Sequence, residues 1–286
     1  MGSVAVVTDT CHYLPRQLVA ARGIHEVSLY VHWDHREDRE SDLPDFDAYY
    51  DHLRTAKQLP TTSQPSIGDF LAVYEPLLAD GREIVSLHLS GAISGTFASA
   101  QQAREQLLGR GGERIHVLDS QSACGGMGLV VLAAHAAAAR GLDAEAVVAQ
   151  TREARAALQM WFAVDTLEYL RRGGRIGAAQ AYLGSALKIK PILTLEAEIT
   201  PIERVRTSGR AFERMVDYLR SRHDDGADAW VVQHIQAPAE AARLVERGRE
   251  IFGTDPCFVS EVGPVIGTHV GPGLLGVGGI PSKFVA

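Results

Sequence analysis

The sequence predicts an α/β fold, in which an N-terminal α/β domain built on a parallel sheet precedes a C-terminal domain of mixed α+β character. In the first half of the chain, short apolar segments of strand length alternate with segments of helical spacing. After residue 160 strands predominate, and two of them are separated only by a short turn, as in a hairpin. The chain has 286 residues, 46% of them hydrophobic, which is enough for two packed units.

Strands and helices alternate along the N-terminal half. Strands are predicted at residues 4–8, 27–33, 83–89 and 115–118. The two clearest helices between them are residues 70–78 and 97–107. Residues 66–69 have the form of a capping box, and Ser94 or Thr96 stands where the next helix must begin. Two polar segments are therefore predicted to lie at helix N-termini.

A helix of small residues is predicted at residues 123–139, which are almost purely apolar and rich in alanine and glycine. A helix that is apolar on all sides is buried. Its small side chains allow close packing against a sheet, and they would also leave room for an extended apolar ligand. Packing is the simpler interpretation. Because a helical segment at residues 144–158 follows, we place the domain boundary near residue 160, giving domains 1–160 and 161–286.

The C-terminal half has a different pattern. Strands are predicted at residues 161–164, 189–195, 199–205, 229–235 and 257–262. The only long helices predicted among them are residues 212–219 and 239–252. This distribution favours a mixed α+β unit.

Charge and hydropathy exclude several classes of function. The formal net charge is −7, which predicts no electrostatic attraction to nucleic acid or to an anionic membrane surface. The first apolar run, residues 4–7, is too short for the core of a signal peptide, and no apolar run is long enough to span a membrane. We therefore expect a soluble, cytoplasmic protein without stable membrane insertion.

Cysteine and histidine spacing predicts neither disulfides nor a metal site. Cys11, Cys124 and Cys257 are widely spaced and lie outside any C-x-x-C pattern. The closest histidine pair, His32 and His35, lies at the head of the acidic segment 34–51, which is interpreted as a solvated surface loop passing into a helix. No metal and no cofactor are expected.

Three polar segments interrupt the apolar pattern: residues 61–66 (Thr-Thr-Ser-Gln-Pro-Ser), 90–96 (Ser-Gly-Ala-Ile-Ser-Gly-Thr) and 267–273 (Gly-Thr-His-Val-Gly-Pro-Gly). They are rich in turn-forming residues and offer hydroxyls, backbone N–H groups and one imidazole, but no lysine or arginine. This combination suits an anion held by neutral donors. The simpler alternatives are that Ser94 caps a helix, Thr62 completes a turn and His269 bonds only to backbone.

Seven short segments carry a family resemblance. They are residues 4–15, 62–66, 94–96, 118–120, 165–176 with Arg-Arg-Gly-Gly-Arg at 171–175, 190–193 and 263–269. In this order and from end to end, the chain resembles the DegV family of bacterial fatty-acid-binding proteins. Each segment alone is a weak signal, but the ordered set is specific.

The resemblance implies a two-domain α/β protein that binds one long-chain fatty acid between its domains, with the tail buried and the carboxylate near the surface. It also implies a separate ATP-dependent fatty acid kinase, which phosphorylates the bound carboxylate to an acyl phosphate for phospholipid synthesis. By the same resemblance, Thr62 and Ser94 bind the carboxylate through their hydroxyls, Gly95 through its N–H and His269 through its ring. The protein itself would be a lipid-binding carrier subunit, without catalytic residues.

A basic segment at residues 171–214 contrasts with the acidic chain, because lysine and arginine outnumber the acids there. The resemblance implies that Arg172, Arg175 and Arg206 dock the kinase, whereas the alternative is an ordinary solvated face. The first family motif is altered in this chain. Thr10 replaces the usual serine and Tyr13 the usual acid, so the role of that loop is open.

An enzyme is the alternative function. Ser94, His269 and Asp119 supply the residue types of a serine hydrolase acting on a lipid or ester. However, the sequence around Ser94 lacks the G-x-S-x-G nucleophile elbow. Residues 271–276 match G-x-G-x-x-G, but too little chain follows for a dinucleotide-binding unit.

Overall fold

The computed structural model describes residues 3–183 and 189–286, whose strands form three sheets. The strands are β1 (Val4–Asp9), β2 (His25–Val27), β3 (Tyr30–Trp33), β4 (Arg36–Arg39), β5 (Thr61–Ser63), β6 (Glu83–His88), β7 (Ile115–Asp119), β8 (Gln159–Ala163), β9 (Lys190–Glu196), β10 (Glu198–Val205), β11 (Ala229–His234), β12 (Phe258–Glu261) and β13 (Leu275–Ile280). The helices are α1 (Arg16–Arg22), α2 (Asp47–Thr55), α3 (Ile67–Ala79), α4 (Thr96–Gln106), α5 (Cys124–Ala139), α6 (Ala144–Ala157), α7 (Glu168–Arg172), α8 (Ser208–Asp224), α9 (Pro238–Phe252) and α10 (Pro264–Val270). The predicted class, a parallel α/β sheet followed by a separate mixed sheet, is confirmed.

The N-terminal sheet has the order β2-β1-β6-β7, and all its strands are parallel. Alternate side chains of β1 point to opposite faces. Ala5 and Val7 pack against Phe70 of α3 and Ala100 of α4, whereas Val6 belongs to the core on the other side, where α5 lies. Burial on both faces explains the continuous apolar runs of these strands.

The C-terminal sheet has the order β10-β9-β8-β13-β11-β12 and is mixed, with only β11 and β12 parallel among its pairs. Its outer face packs on α8 and α9, where Leu275 and Val277 meet Phe212 and Leu244. Its inner face lies toward α5, which contacts strands of both large sheets. The predicted buried helix is therefore confirmed, and it is shared by the two sheets.

The third sheet, β4-β3-β5, is small and antiparallel, and here two predictions were wrong. Residues 27–33 are not one strand. They divide between the end of β2 and β3, which lie in different sheets, because an alternating pattern carries no information about a change of sheet. The acidic loop is also partly a strand: β3 and β4 form a hairpin that turns at Asp34 and His35, both with positive φ. β4, the outer strand of this hairpin, is charged, which suits an exposed sheet edge.

The sequence analysis missed two C-terminal elements because both contain glycine, which is untypical of helices and strands. The third polar segment was predicted as a turn, but its first half belongs to α10. β13 was not predicted, although it is a central strand between β8 and β11. Glycine is required at position 278, since a Cβ there would lie 2.8 Å from the Cβ of Met160. The domain boundary near residue 160 stays a prediction, and β8 already begins at Gln159.

Candidate ligand-binding site

An apolar cavity lies between the first turn of α5 and the inner face of the C-terminal sheet. It holds about 880 Å³ of atom-free space, part of which is open to solvent. Its apolar lining includes Met160, Phe162, Leu195, Ile199, Val270 and Leu274, and Ala123 and Cys124 close it on the side of α5. The apolar lining suits an elongated hydrophobic ligand. The small-residue helix thus both packs against the sheets and leaves space.

The three polar segments meet at the mouth of this cavity. Thr62, Ser94 and His269 all line it, and each also lines a surface cleft beside it. The Thr62 hydroxyl and His269 Nε2 are 2.9 Å apart and share a hydrogen bond. They meet because β5, which carries Thr62, pairs with β3, and α10 packs against both strands.

His269 lies in the last turn of α10 rather than in a loop. Burial, assisted by the positive charge of Arg175, lowers its pKa to about 4, so the ring is neutral near pH 7. Among the described residues, its buried Nδ1 has no hydrogen-bond partner. The ring packs so closely on Gly173 that a Cβ at that position would collide with Nδ1. The neutral imidazole thus has one nitrogen bonded to Thr62 and one nitrogen without a partner among the described residues.

Ser94 and Gly95 lie at the beginning of α4, as the sequence predicted. Gly95 is the N-cap, and the Ser94 hydroxyl is 2.9 Å from the hydroxyl of Thr96. The amides at the start of a helix have no partner within the helix and carry its positive dipole end. Gly95 lines the adjoining cleft, where a Cβ would lie 2.8 Å from Nε2 of Gln64. Gln64 also lines the cavity, so it is a site residue that the sequence analysis did not single out.

Arg175 is a cation at the same mouth, although the family resemblance implied only partner docking for it. It lines the cavity and both adjoining clefts, and its guanidinium donates to the carbonyls of Ile93 (3.2 Å) and Gly173 (2.8 Å). The three polar segments contain no lysine or arginine. The sequence analysis therefore missed this cation, because Arg175 belongs to a fourth segment. An anion at this mouth would therefore meet one guanidinium as well as neutral donors.

The other predicted docking arginines are exposed. Arg172 lines the cleft that also contains Thr62 and His269. Arg206 directly follows β10, and none of the described contacts joins it to Arg172 or Arg175. Lys188, another member of the basic segment, lies outside the described residues.

Comparison with known families identifies the family of this fold. The family model described as uncharacterised protein, DegV family, matches residues 3–282. The chain belongs to the DegV family. It is 34% identical to the protein DegV of Bacillus subtilis over 278 residues, which cover 96% of this chain and 98% of that protein. A DegV domain-containing protein of Streptomyces coelicolor is 40% identical over 279 residues, covering 96% and 97% of the two chains.

Solved structures of the DegV family share the whole architecture. DegV of Bacillus subtilis, described as a fatty acid binding protein, has 34% identity and a TM-score of 0.88, with 98% of this chain and 100% of that chain covered. A DegV family protein of Thermus thermophilus, described by its fatty acid binding, has 34% identity and a TM-score of 0.87, with 98% and 99% covered. Among the residues described for the present DegV-family chain, none of the helices has the length and hydropathy to cross a membrane.

A buried carboxyl group supports the helix that carries His269 in this DegV-family chain. Glu40 Oε1 accepts from the backbone N–H of Val265 (2.8 Å) and from the hydroxyl of Tyr13 (3.0 Å), and that hydroxyl accepts from the N–H of Ile266 (3.3 Å). Burial raises the pKa of Glu40 to about 7, although these donors oppose the shift. Tyr13 therefore helps to hold the first turn of α10.

The contacts around Asp119 do not form a hydrolase triad. Its carboxylate accepts from the N–H groups of Gln121 (2.7 Å) and Gly91 (3.2 Å), and no described contact joins it to His269. The hydroxyl of Ser94 bonds to Thr96 rather than to the imidazole. A nucleophile bonded to a base, and a base oriented by an acid, are both required for that chemistry.

Proposed function

We propose that this protein binds a long-chain fatty acid and presents its carboxylate to a separate ATP-dependent fatty acid kinase in the cytoplasm. The observation that carries the proposal is the apolar cavity whose mouth is lined by Thr62, Ser94 and His269. Relatives of the same fold and 34% identity are described as fatty acid binding proteins. In this function the protein is a carrier and has no catalytic residue.

The mouth would hold the carboxylate through neutral donors and one cation. The hydroxyls of Thr62 and Ser94, the N–H of Gly95 and the ring of His269 supply the neutral donors, and Arg175 stands beside them. Hydrogen bonds to a charged group contribute about 1.5 to 3 kcal/mol each, so several of them offset the cost of removing a carboxylate from water. The half-buried mouth leaves the carboxylate oxygens within reach of a partner.

The tail would dominate the affinity. A long-chain fatty acid has about 15 methylenes, and at roughly 0.8 kcal/mol each their burial is worth on the order of 12 kcal/mol before the costs of association and ordering. The apolar lining between α5 and the C-terminal sheet provides that burial.

The partner reaction would be a phosphoryl transfer on the exposed head group. A carboxylate oxygen attacks the γ-phosphorus of ATP, the bond from that phosphorus to the bridging oxygen of ADP breaks, and an acyl phosphate and ADP result. Arg172, Arg175 and Arg206 would dock the kinase. The exposure of Arg172 and Arg175 beside the mouth supports this assignment, because a kinase bound there would face the carboxylate.

Ligand binding is tested by direct extraction. The protein is purified from a bacterial host and denatured, its organic extract is analysed by mass spectrometry, and the delipidated protein is titrated with palmitate and oleate. We expect one fatty acid per chain. Absence of fatty acid from the extract, together with no uptake of either acid, contradicts the proposal.

Variants at the mouth locate the carboxylate. Thr62→Val, Ser94→Ala and His269→Ala each remove a donor, so each is expected to weaken oleate binding by about tenfold, the equivalent of one hydrogen bond to a charged group. His35→Ala, at an exposed turn outside the cavity, is the matched control and should bind as the wild type does. If the three variants at the mouth bind oleate as tightly as the wild type and the control, these residues do not bind the carboxylate.

The kinase step is tested separately. Oleate-loaded protein is mixed with a purified bacterial fatty acid kinase and ATP, and ADP release is followed. Arg172→Ala, Arg175→Ala and Arg206→Ala should raise the concentration of loaded protein needed for half-maximal rate. The exposed Arg220→Ala on α8 is the control. Oleate binding without any oleate-dependent ADP release would contradict the kinase role and leave the carrier role intact.

A further inference from the structure

Gly276 lines the cavity with backbone only, because it has no side chain. It lies in β13, directly opposite Phe162 of β8 and Gln233 of β11, and all three residues line the cavity. Its neighbours in β13, Leu275 and Val277, point to the other face and pack against α8 and α9. Gly276 is the only glycine among the described lining residues, so at this level the wall is formed by backbone.

The protein itself does not require glycine at this position. A Cβ on Gly276 would meet Phe162 Cβ at 3.6 Å, Leu274 Cδ2 at 3.7 Å and nothing closer, which is ordinary contact. Its φ is not in the left-handed region. Gly278 and Gly279 of the same strand differ, because a Cβ on Gly278 would lie 2.8 Å from Met160 Cβ and one on Gly279 would lie 3.0 Å from the carbonyl of Ala229.

Glycine in the interior of a strand is unfavourable, since it packs nothing and loses more conformational freedom on folding than other residues. At positions 278 and 279 crowding by neighbouring strands explains it. At position 276 the space that a side chain would occupy is part of the cavity. We propose that Gly276 keeps the tail cavity open and so determines the length of acyl chain that the protein accepts. The inference rests on the proposed fatty acid binding.

The test is a size series at one position. Delipidated wild type, Gly276→Ala and Gly276→Val are titrated with laurate and with stearate, and the ratio of the two affinities is compared. The methyl groups of valine would project into the cavity and exclude part of a long tail. Because each buried methylene contributes roughly a fourfold gain in affinity, loss of two lowers binding of stearate relative to laurate by about tenfold or more in the valine variant. Alanine should cause a smaller shift in the same direction.

The control is Gly209→Ala on the exposed first turn of α8, where a Cβ meets nothing within 4 Å. Its ratio of affinities should equal that of the wild type. Thermal unfolding of each delipidated variant checks the fold. If Gly276→Val does not fold, Gly276→Ala still tests the inference, because its Cβ makes only ordinary contacts.

An unchanged ratio in the folded variants overturns the inference, and so does an equal loss of both acids. Failure of the wild type to bind either acid is a different result, because it overturns the proposed function and this inference with it.

Discussion

At the scale of single residues, the site depends on side chains held in unusual environments. His269 is kept neutral by burial beside Arg175, and its ring fits only because residue 173 has no side chain. The polar segments suggested an anion site, and the family resemblance of their motifs suggested Thr62, Ser94 and His269 as its ligands. The sequence could not suggest Arg175 as part of the mouth, because the distance between a guanidinium and a cavity is a property of packing.

Glu40 predicts a pH dependence of stability at this scale. Its pKa is about 7 in the folded protein against an ordinary value of 4.5, so the folded state holds the proton more tightly than the unfolded chain. The resulting stability is present below pH 4.5 and is lost as pH rises through 7. Glu40→Gln keeps an acceptor without the charge. Its free energy of unfolding should therefore rise relative to the wild type by up to about 3 kcal/mol between acidic and alkaline pH.

Urea unfolding of both proteins at several pH values measures this difference. His269 acts in the opposite direction, since its lowered pKa contributes stability above pH 6.5 that is lost as pH falls through about 4. Both proteins share that effect, so it cancels in the difference. Glu246→Gln, on the exposed face of α9, is the control. A difference between Glu40→Gln and the wild type that does not change with pH would contradict the prediction.

At the scale of elements, strand ends and helix starts place the polar segments. Ser94 and Gly95 are positioned by the start of α4, which capping chemistry predicts from sequence. Thr62 is positioned by β5, a strand of only three residues. The sequence analysis did not predict this strand, because its segment is rich in turn-forming residues. α10 and β13 were hidden in the same way, because glycine is rare in regular elements unless a close neighbour requires it.

Asp9 at the end of β1 is predicted to fix the segment that leads to Ser94. Its fully buried carboxylate accepts from the N–H of Cys11 (3.0 Å) and of Leu89 (2.9 Å) and lies 3.1 Å from Nδ1 of His88. Asp9→Ala leaves these buried groups without their partner and should lower the free energy of unfolding by about 3 kcal/mol or more. Guanidinium unfolding measures it. Asp9→Asn, which keeps one acceptor, should cost less, and a loss below about 1 kcal/mol in the alanine variant would contradict this role.

At the scale of the whole molecule, α5 joins the two large sheets. It contacts strands of both, and one continuous apolar core extends from the N-terminal sheet to the C-terminal sheet. The sequence predicted a buried helix here and a boundary near residue 160, but it gave no indication that one helix serves both halves. The cavity lies beside the start of this helix, with Ala123 and Cys124 on one side and residues of the C-terminal sheet on the other.

Sharing of α5 predicts that the two halves unfold together. Neither large sheet can keep its inner face buried once α5 leaves, so a single transition is expected. Hydrogen exchange at increasing guanidinium concentration, read by mass spectrometry of peptides from β6 and β13, should show loss of protection at the same midpoint. Separate midpoints for the two peptides would show independent domains.

The sequence by itself determined the α/β class, most strands and long helices, the buried small-residue helix and the three polar segments. These follow from local periodicity, capping and composition, which act over a few residues. Only the tertiary structure decided that Thr62 and His269 share a hydrogen bond, that Arg175 stands at the mouth and that Gly276 opens the wall. Each depends on the packing of segments far apart in the chain, and packing leaves no local pattern in the sequence.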